Sequence, residues 1–392
     1  MTENTPAAER TETVHKCDVL VVGSGAAGMA TALRAAHDGL NVIVAEKSEH
    51  FGGTTALSAG WSWVPGNPQG TAATGDTRAE AETYLKALSG DYYNEEGVAG
   101  FLDTVPEAID FFEDNTSVVF SYPEKAPDYQ MDLPGAKLGG RAILPSDADI
   151  RMLGSRRKEL QPYLSSYTVF GYMPQVGPDM ATILKANQSV KAFTYTASKL
   201  LRTWVDTALF GQPLKRTNGS ALMTRMVASA LDAGVRVWTS TPVQELVTND
   251  DGAVTGAVLS GKRAGTVQAR LGVVLAGGGF SGDAELRKQY FPHDANGGEH
   301  FTPTQGHDGS SARMAMAVGG RDQRGRLLSG LLGPGDGVQG PGHARPAALP
   351  APAPDRPARH DHGGPARQAL RQRGAELPRL RPADAGPHVR RA

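Results

Sequence analysis

The sequence predicts an α/β fold that starts with a strand, a glycine turn, a helix and a second strand, and three observations carry that reading. A short apolar run at residues 18–22, DVLVV, is bounded at once by glycines, as a buried parallel strand would be. Gly23, Gly25 and Gly28 follow with GxGxxG spacing. Residues 29–37 then carry apolar side chains at helical spacing, Gly39 stops them, and residues 41–45 form a second apolar run closed by Glu46.

Each part of this unit has a physical task. Gly23 permits a tight turn, Gly25 leaves room for a pyrophosphate against the backbone, and Gly28 lets the helix pack on the strand. Ala26 and Ala27 bring the first helical N–H groups to the same anion. Glu46 is placed to accept a hydrogen bond from a ribose hydroxyl. A lone GxGxxG could be a turn without a ligand; strand, glycines, helix, strand and acid in order argue against that. Both NAD(P) and FAD fit such a unit, and the next loop bears on the choice. Residues 47–60, KSEHFGGTTALSAG, contain Lys47, Gly52, Gly53, Thr54, Thr55, Ser58, Ala59 and Gly60, whose backbone N–H groups and hydroxyls could follow a long dinucleotide. A nicotinamide domain has no standing need for this loop.

Further along, residues 76–90 read as a helix started by Asp76 or Thr77 and ended by Gly90, and residues 95–113 as a second helix. Residues 118–143 are rich in Pro and Gly yet carry Tyr122, Tyr129 and Arg141, as loops bordering an active site often do. Arg156, Arg157 and Lys158 read as a solvated helix face, and a helix follows through KAFTYTASKLLRTWVDTAL. A helix capped by Asn218 or Ser220 and ended by Gly234 leads into a strand at 235–239. Asp250, Asp251 and Gly252 separate the apolar runs 243–247 and 254–259, a hairpin signal. Residues 271–276 read as another buried strand running straight into Gly277, Gly278 and Gly279, where the backbone closely approaches a ligand at the carboxyl edge of the sheet. Asp308 reads as the cap of a later helix.

Bulk properties exclude several classes. A net charge of -1 gives no overall case for nucleic acid or membrane. Cys17 is the only cysteine, so an intrachain disulfide or a cysteine metal cluster is impossible, and a reducing cytoplasm is expected. Residues 1–16 are polar, lack an apolar core and read as a disordered leader; no membrane span is expected. No metal-ligand spacing occurs.

GSGAAGMATALRAA, EKSEHFGGTTALSAG followed by residues 61–65, and LGVVLAGGGFSGD resemble the flavoprotein family of 3-oxosteroid 1-dehydrogenases and fumarate-reductase-type flavoproteins, over about residues 16–320. The resemblance implies FAD as cofactor and a glutathione-reductase-type, Rossmann-like FAD-binding domain at 17–284. An inserted α+β substrate domain would begin at 285–320 and remain incomplete. It places backbone near Val243 at the adenine and Ala276, Gly277 and Gly278 in the cofactor site. It also implies that Tyr129, in the Pro-Asp-Tyr ahead of Gly139, Gly140 and Arg141, supplies an active-site hydroxyl. The implied reaction removes a proton beside a ketone and passes a hydride to flavin N5, a 3-oxosteroid being the first substrate and a fumarate-reductase-like one the second. The electron acceptor is left open.

Beyond Gly320 the composition changes. Residues 321–392 contain no Lys, Ile, Phe, Tyr, Trp, Met, Thr, Asn or Cys and consist mostly of Arg, Pro, Ala, Gly and Leu, which cannot make an ordinary core. A basic nucleic-acid-binding tail is one reading, but such a tail would be expected to use Lys as well. The preferred expectation is a shifted reading frame in a GC-rich gene: moved by one base, residues 368–382 can be read as KRFVNEARSYHDFV, which resembles the family's substrate-domain motif. On that expectation the later catalytic and FAD segments are missing, and an inactive, non-enzymatic fragment is the alternative to an enzyme.

Overall fold

The computed structural model describes residues 13–123, 125–290 and 306–320. All of them fall in the first of two units into which the chain divides, Met1–Asp336 and Gly337–Ala392. The calls on residues 1–12, 291–305 and 321–392, including the reading of the tail, lie outside the described residues.

Strand β1 (Val14–Val22) is followed by α1 (Ala26–His37) and β2 (Val42–Ala45). Helices α2 (Arg78–Ser89), α3 (Glu95–Asn115), α4 (Val190–Phe210) and α5 (Asn218–Asp232) come next. Strands β3 (Arg236–Trp238), β4 (Val243–Thr248), β5 (Val254–Leu259) and β6 (Gly265–Leu275), and helix α6 (Ser310–Ala317), complete the framework. The six strands form one sheet in the order β3-β2-β1-β6-β5-β4. β3, β2, β1 and β6 run parallel, and β5 and β4 add to β6 as an antiparallel hairpin. Alternate residues face opposite sides: Val21, Val42 and Val44 pack with Met29, Met223 and Val227 on one face, and Leu20, Val22, Ile43 and Ala45 with Ala257 and Met314 on the other. Both faces of the central strands are therefore covered, as a parallel sheet requires.

The structure corrects several expectations. The first strand starts at Val14, so the end of the expected leader is ordered: Val14, His15 and Lys16 pair with Thr266, Val267 and Gln268. Thr77, not Asp76, starts α2, through a capping box with Glu80, and Asp76 is buried instead against Arg141. Neither Asn218 nor Ser220 caps α5: its N-cap is Thr217, and the Asn218 side chain turns away to bond Val176 N (3.1 Å) and Pro174 O (2.8 Å). β6 begins six residues earlier than the apolar run and is not uniformly buried, Leu271 being 56% exposed. Cys17 packs beside the sheet as expected; burial pushes its thiol up to about 11.

Candidate functional site

The carboxyl ends of β1, β2 and β6 open into a cleft of about 540 Å³, within the size range of small-molecule sites. Gly23 turns the chain out of β1 at φ +101°, and a Cβ there would stand 2.4 Å from Ala276 O. Gly28 meets β1 so closely that its Cβ would lie 2.0 Å from Gly23 O, the packing role the spacing predicts. Gly25 is different: the nearest atom to its missing Cβ is Thr55 Oγ1 at 3.8 Å, so that side is open to the cleft. Gly25, the N-cap of α1, has no side chain to cap it, which leaves N-terminal N–H groups and the helix dipole directed at the space before Gly25. Ala26 N alone is drawn to Thr55 Oγ1, 3.1 Å away.

Glu46 is buried at the end of β2. Its Oε2 accepts Ser24 N (2.9 Å) and Ser24 Oγ (2.6 Å), and its Oε1 accepts Ser48 N (2.8 Å). A carboxylate has about four acceptor positions, so Oε1 retains one for a hydroxyl in the cleft. On the opposite wall, Lys47 Nζ donates to Gly306 O (2.6 Å) and Asp308 Oδ1 (2.7 Å), tying the segment before α6 across to β2. Asp308 Oδ1 also accepts Ser310 N at 3.1 Å, but the N-cap of α6 is Gly309, so Asp308 stands one residue before the cap position expected of it. Thr54 Oγ1 lies 2.8 Å from His307 Nε2, and Ser281 Oγ 3.2 Å from His307 Nδ1. Burial and then Lys47 lower the His307 pKa, with Asp308 opposing them, so the ring is neutral at pH 7. Ser311 Oγ, in the wall, is buried without a hydrogen-bond partner among the described residues.

Of the residues singled out from sequence, Gly23, Gly25, Ala26, Ala27, Glu46 and Lys47 line the cleft, as do Gly53, Thr54 and Thr55 and, from the other side, Val243, Ala276, Gly277 and Gly278. Gly28 and Gly52 stand behind them. Gly52, at φ +110°, turns the chain so that the next three residues face the cleft. Ser58, Ala59 and Gly60 do not line it. Ser58 O accepts Gly219 N at 3.0 Å, and a Cβ on Gly60 would come within 2.7 Å of Gly219 N, so this stretch is packed onto the start of α5. Sequence reasoning missed Ser24, His50, Gln161, Gln244 and His307, all of which line the cleft. Ser24 could have been found, since it lies inside the glycine motif. Gln161 arrives only through the Phe51 to Leu160 bridge, and no local signal marks it.

Tyr129 lies outside the cleft and is fully exposed. Of its motif the structure buries Asp128, Gly139, Gly140 and Arg141, while Pro127 is exposed like Tyr129. The Arg141 guanidinium donates to Asp76 (2.7 Å) and Asp128 (2.8 Å) with all three side chains at 0–1% exposure. Asp128 also accepts Trp63 Nε1 (2.7 Å) and Lys137 N (2.8 Å). Tyr129 is thus displayed on a loop whose preceding residue is anchored in the core. Among the described residues no group of three or more His, Cys, Asp or Glu side chains is arranged to hold a metal ion, and no helix is long and apolar enough to cross a membrane.

The FAD binding domain family matches residues 18–335, and the chain belongs to it. A 4-oxocyclohex-2-ene-1-carboxylate 5-dehydrogenase of Sinomonas cyclohexanicum is 69% identical over 305 residues, 78% of this chain and 52% of that protein. A 3-oxosteroid 1-dehydrogenase of Mycolicibacterium smegmatis is 32% identical over 283 residues, 70% of this chain and 48% of the relative. Among solved structures, the 3-ketosteroid delta1-dehydrogenase of Sterolibacterium denitrificans, in complex with 1,4-androstadiene-3,17-dione, superposes with a TM-score of 0.69. It is 32% identical and covers 80% of this chain and 56% of its own. The chain spans about half the length of the curated relatives it matches. FAD is accordingly the cofactor, and the cleft fits it: an open face at Gly25, an uncapped helix start, a spare acceptor position on Glu46 and the unpartnered Ser311 hydroxyl.

Proposed function

We propose that this member of the FAD binding domain family serves an FAD-dependent dehydrogenase that removes two hydrogens from a CH–CH bond beside the ketone of a small carboxylated cyclohexenone. The single observation that carries the reading is the 69% identity, over 305 residues, to a dehydrogenase of 4-oxocyclohex-2-ene-1-carboxylate, against 32% for a 3-oxosteroid enzyme. The steroid expected first from sequence becomes the second choice, and the ring ketone common to both is what the two readings share.

In this proposal the backbone at the start of α1 holds the pyrophosphate and the buried Glu46 side chain accepts a ribose hydroxyl through Oε1. FAD, when bound, supplies the hydride acceptor. The chain's own contribution on the substrate side is the Tyr129 hydroxyl, held out by the anchored Asp128 to touch the ring ketone or the carbon beside it. The purified chain would be assayed for bound flavin. It would then be assayed for turnover of 4-oxocyclohex-2-ene-1-carboxylate and of a 3-oxosteroid with an artificial electron acceptor. Turnover of the carboxylate alone is expected, with Tyr129→Phe lowering kcat at least tenfold while flavin content is kept. Steroid turnover without carboxylate turnover would overturn the substrate assignment.

A second reading, a flavin-binding fragment without turnover, is favoured by the chain spanning about half of its relatives; stoichiometric flavin with no activity on either substrate would select it. The out-of-frame reading of residues 321–392 belongs with this question. The composition changes after Gly320 while the family match continues to residue 335, so resequencing the codons for residues 321–336 tests it most directly.

A further inference from the structure

Helix α4 is built inside out. Its 21 residues span about 30 Å at 1.5 Å per residue. The side turned to the protein is small and polar, with Ala192, Thr203 and Asp206 buried, and Asp206 Oδ2 accepts Leu214 N at 3.2 Å. The side turned outward carries large apolar residues at both ends, with exposed Thr194 and Ser198 between them: Val190, Phe193, Leu201, Trp204 and Leu209 are 82%, 61%, 62%, 53% and 70% exposed. At about 100° per residue Val190, Phe193, Leu201 and Trp204 fall within about 80° of one another, a stripe on the side away from Asp206, with Leu209 to one edge. Beside Trp204, whose Nε1 donates to Phe170 O at 3.1 Å, Phe170 itself is 76% exposed although its backbone is held at φ +48°, a conformation unfavourable for a bulky residue. An exposed apolar surface of this kind marks an interaction site.

The charge around the stripe selects the occupant. Residues 180–210 carry Lys185, Lys191, Lys199 and Arg202 against one acid, Asp206. Lys185, Lys191 and Arg202 are exposed, whereas Asp206 is buried. The preceding acid, Asp179, is occupied by Tyr172 OH (2.7 Å) and Tyr195 OH (2.6 Å). An outward face of Trp, Phe and Leu bordered by exposed Lys185, Lys191 and Arg202, the last of them near Asp149, has the composition of a helix that lies in a membrane interface. A second copy of the chain would set the same cations against one another across a two-fold axis, and residues 321–392, being Arg-rich, carry the same sign.

We propose that α4, with Phe170 beside it, docks the protein peripherally on an anionic lipid surface, the stripe entering the interface and Lys185, Lys191 and Arg202 meeting the headgroups. The surface is independent of the cofactor cleft, and the inference does not rest on the substrate reading. The average charge of -1 conceals this local patch.

The test is co-sedimentation of the full chain with vesicles of phosphatidylcholine alone and with phosphatidylglycerol added. Binding to the anionic vesicles is expected, weakening as salt is raised, with a blue shift in tryptophan emission. The exposed pair Phe193→Glu and Leu201→Glu should reduce the bound fraction at least tenfold with an unchanged far-UV circular dichroism spectrum. Lys191→Gln with Arg202→Gln should reduce it severalfold and flatten the salt dependence. Equal partitioning onto neutral and anionic vesicles, or none onto either, overturns the proposal. So does a dimer in lipid-free solution that the Phe193→Glu and Leu201→Glu pair dissolves, which would assign the face to self-association.

Discussion

Replacing Arg141 by Met removes one cation from between two buried carboxylates. In the native chain Arg141 Nε and Nη2 reach Asp76 at 3.0 and 2.7 Å, Nη1 reaches Asp128 at 2.8 Å, and the guanidinium carbon stands 5.7 Å from the ring centres of both Trp63 and Tyr84. Breaking a buried ion pair by removing one partner costs about 3–5 kcal/mol, and two cation–π contacts at roughly 0.5–1 kcal/mol each add to it. The expected loss is therefore about 4–7 kcal/mol, a large share of the roughly 5–15 kcal/mol available to a folded domain. Urea unfolding followed by circular dichroism measures it. The sharper test is the second variant. Among the described residues Asp76 accepts side-chain bonds from Arg141 alone, so Asp76→Leu added to Arg141→Met removes an uncompensated buried charge. It should raise stability above that of the single variant by about 1–2 kcal/mol. Asp128 remains held by Trp63 and Lys137 in both. A loss below about 1 kcal/mol for Arg141→Met, or a double variant less stable than the single one, would refute the assignment of the loop's anchorage to this triad.

Three further outcomes follow from the cleft and the sheet. Gly25→Ala should cost no more than about 1 kcal/mol of stability, because its Cβ meets open space, yet lower FAD affinity at least tenfold by titration calorimetry. Gly23→Ala, with φ at +101° and Ala276 O in the way, should unfold at clearly lower urea. His307 has a folded pKa below its ordinary 6.5, with burial the largest cause. The unfolded chain therefore takes up the proton first, so stability is full above about 6.5 and declines as pH falls from there to the folded value. His307→Gln should remove that part of the acid loss in melts run at a series of pH values. Cys17, buried and raised to about 11, should react with a thiol reagent only after denaturant is added; fast labelling of the native protein would contradict its placement.

Much of the cofactor site was legible because it is built from residues adjacent in the chain. Gly23 makes the turn and Gly28 the close packing that their spacing implies, and Gly25 and Glu46 face the cleft. The antiparallel hairpin was equally readable, since Asp250, Asp251 and Gly252 mark its turn between two apolar runs. Where the reading failed, a distant partner had claimed the residue: Asn218 was taken from the helix cap by Val176 and Pro174. Between the two starts offered for α2, Thr77 takes the cap and Asp76 goes to an arginine 65 positions later. Ser58, Ala59 and Gly60, small enough to follow a dinucleotide, are equally small enough to admit the start of α5, and packing chose the second use.

By itself, then, the sequence determined the α/β class and the dinucleotide cradle, because strand period, glycine geometry and helix polarity act within a few residues of one another. The tertiary structure decided what depends on separation. Lys47 and Asp308 meet across 261 positions to close one wall of the cleft, and Asp128 is fixed under Tyr129 by Arg141. α4 shows the difference most plainly. Its apolar period announced a helix, but period cannot say which side meets the protein; in the structure Ala192, Thr203 and Asp206 are buried, Asp206 accepts Leu214 N, and the large apolar side chains stay outside.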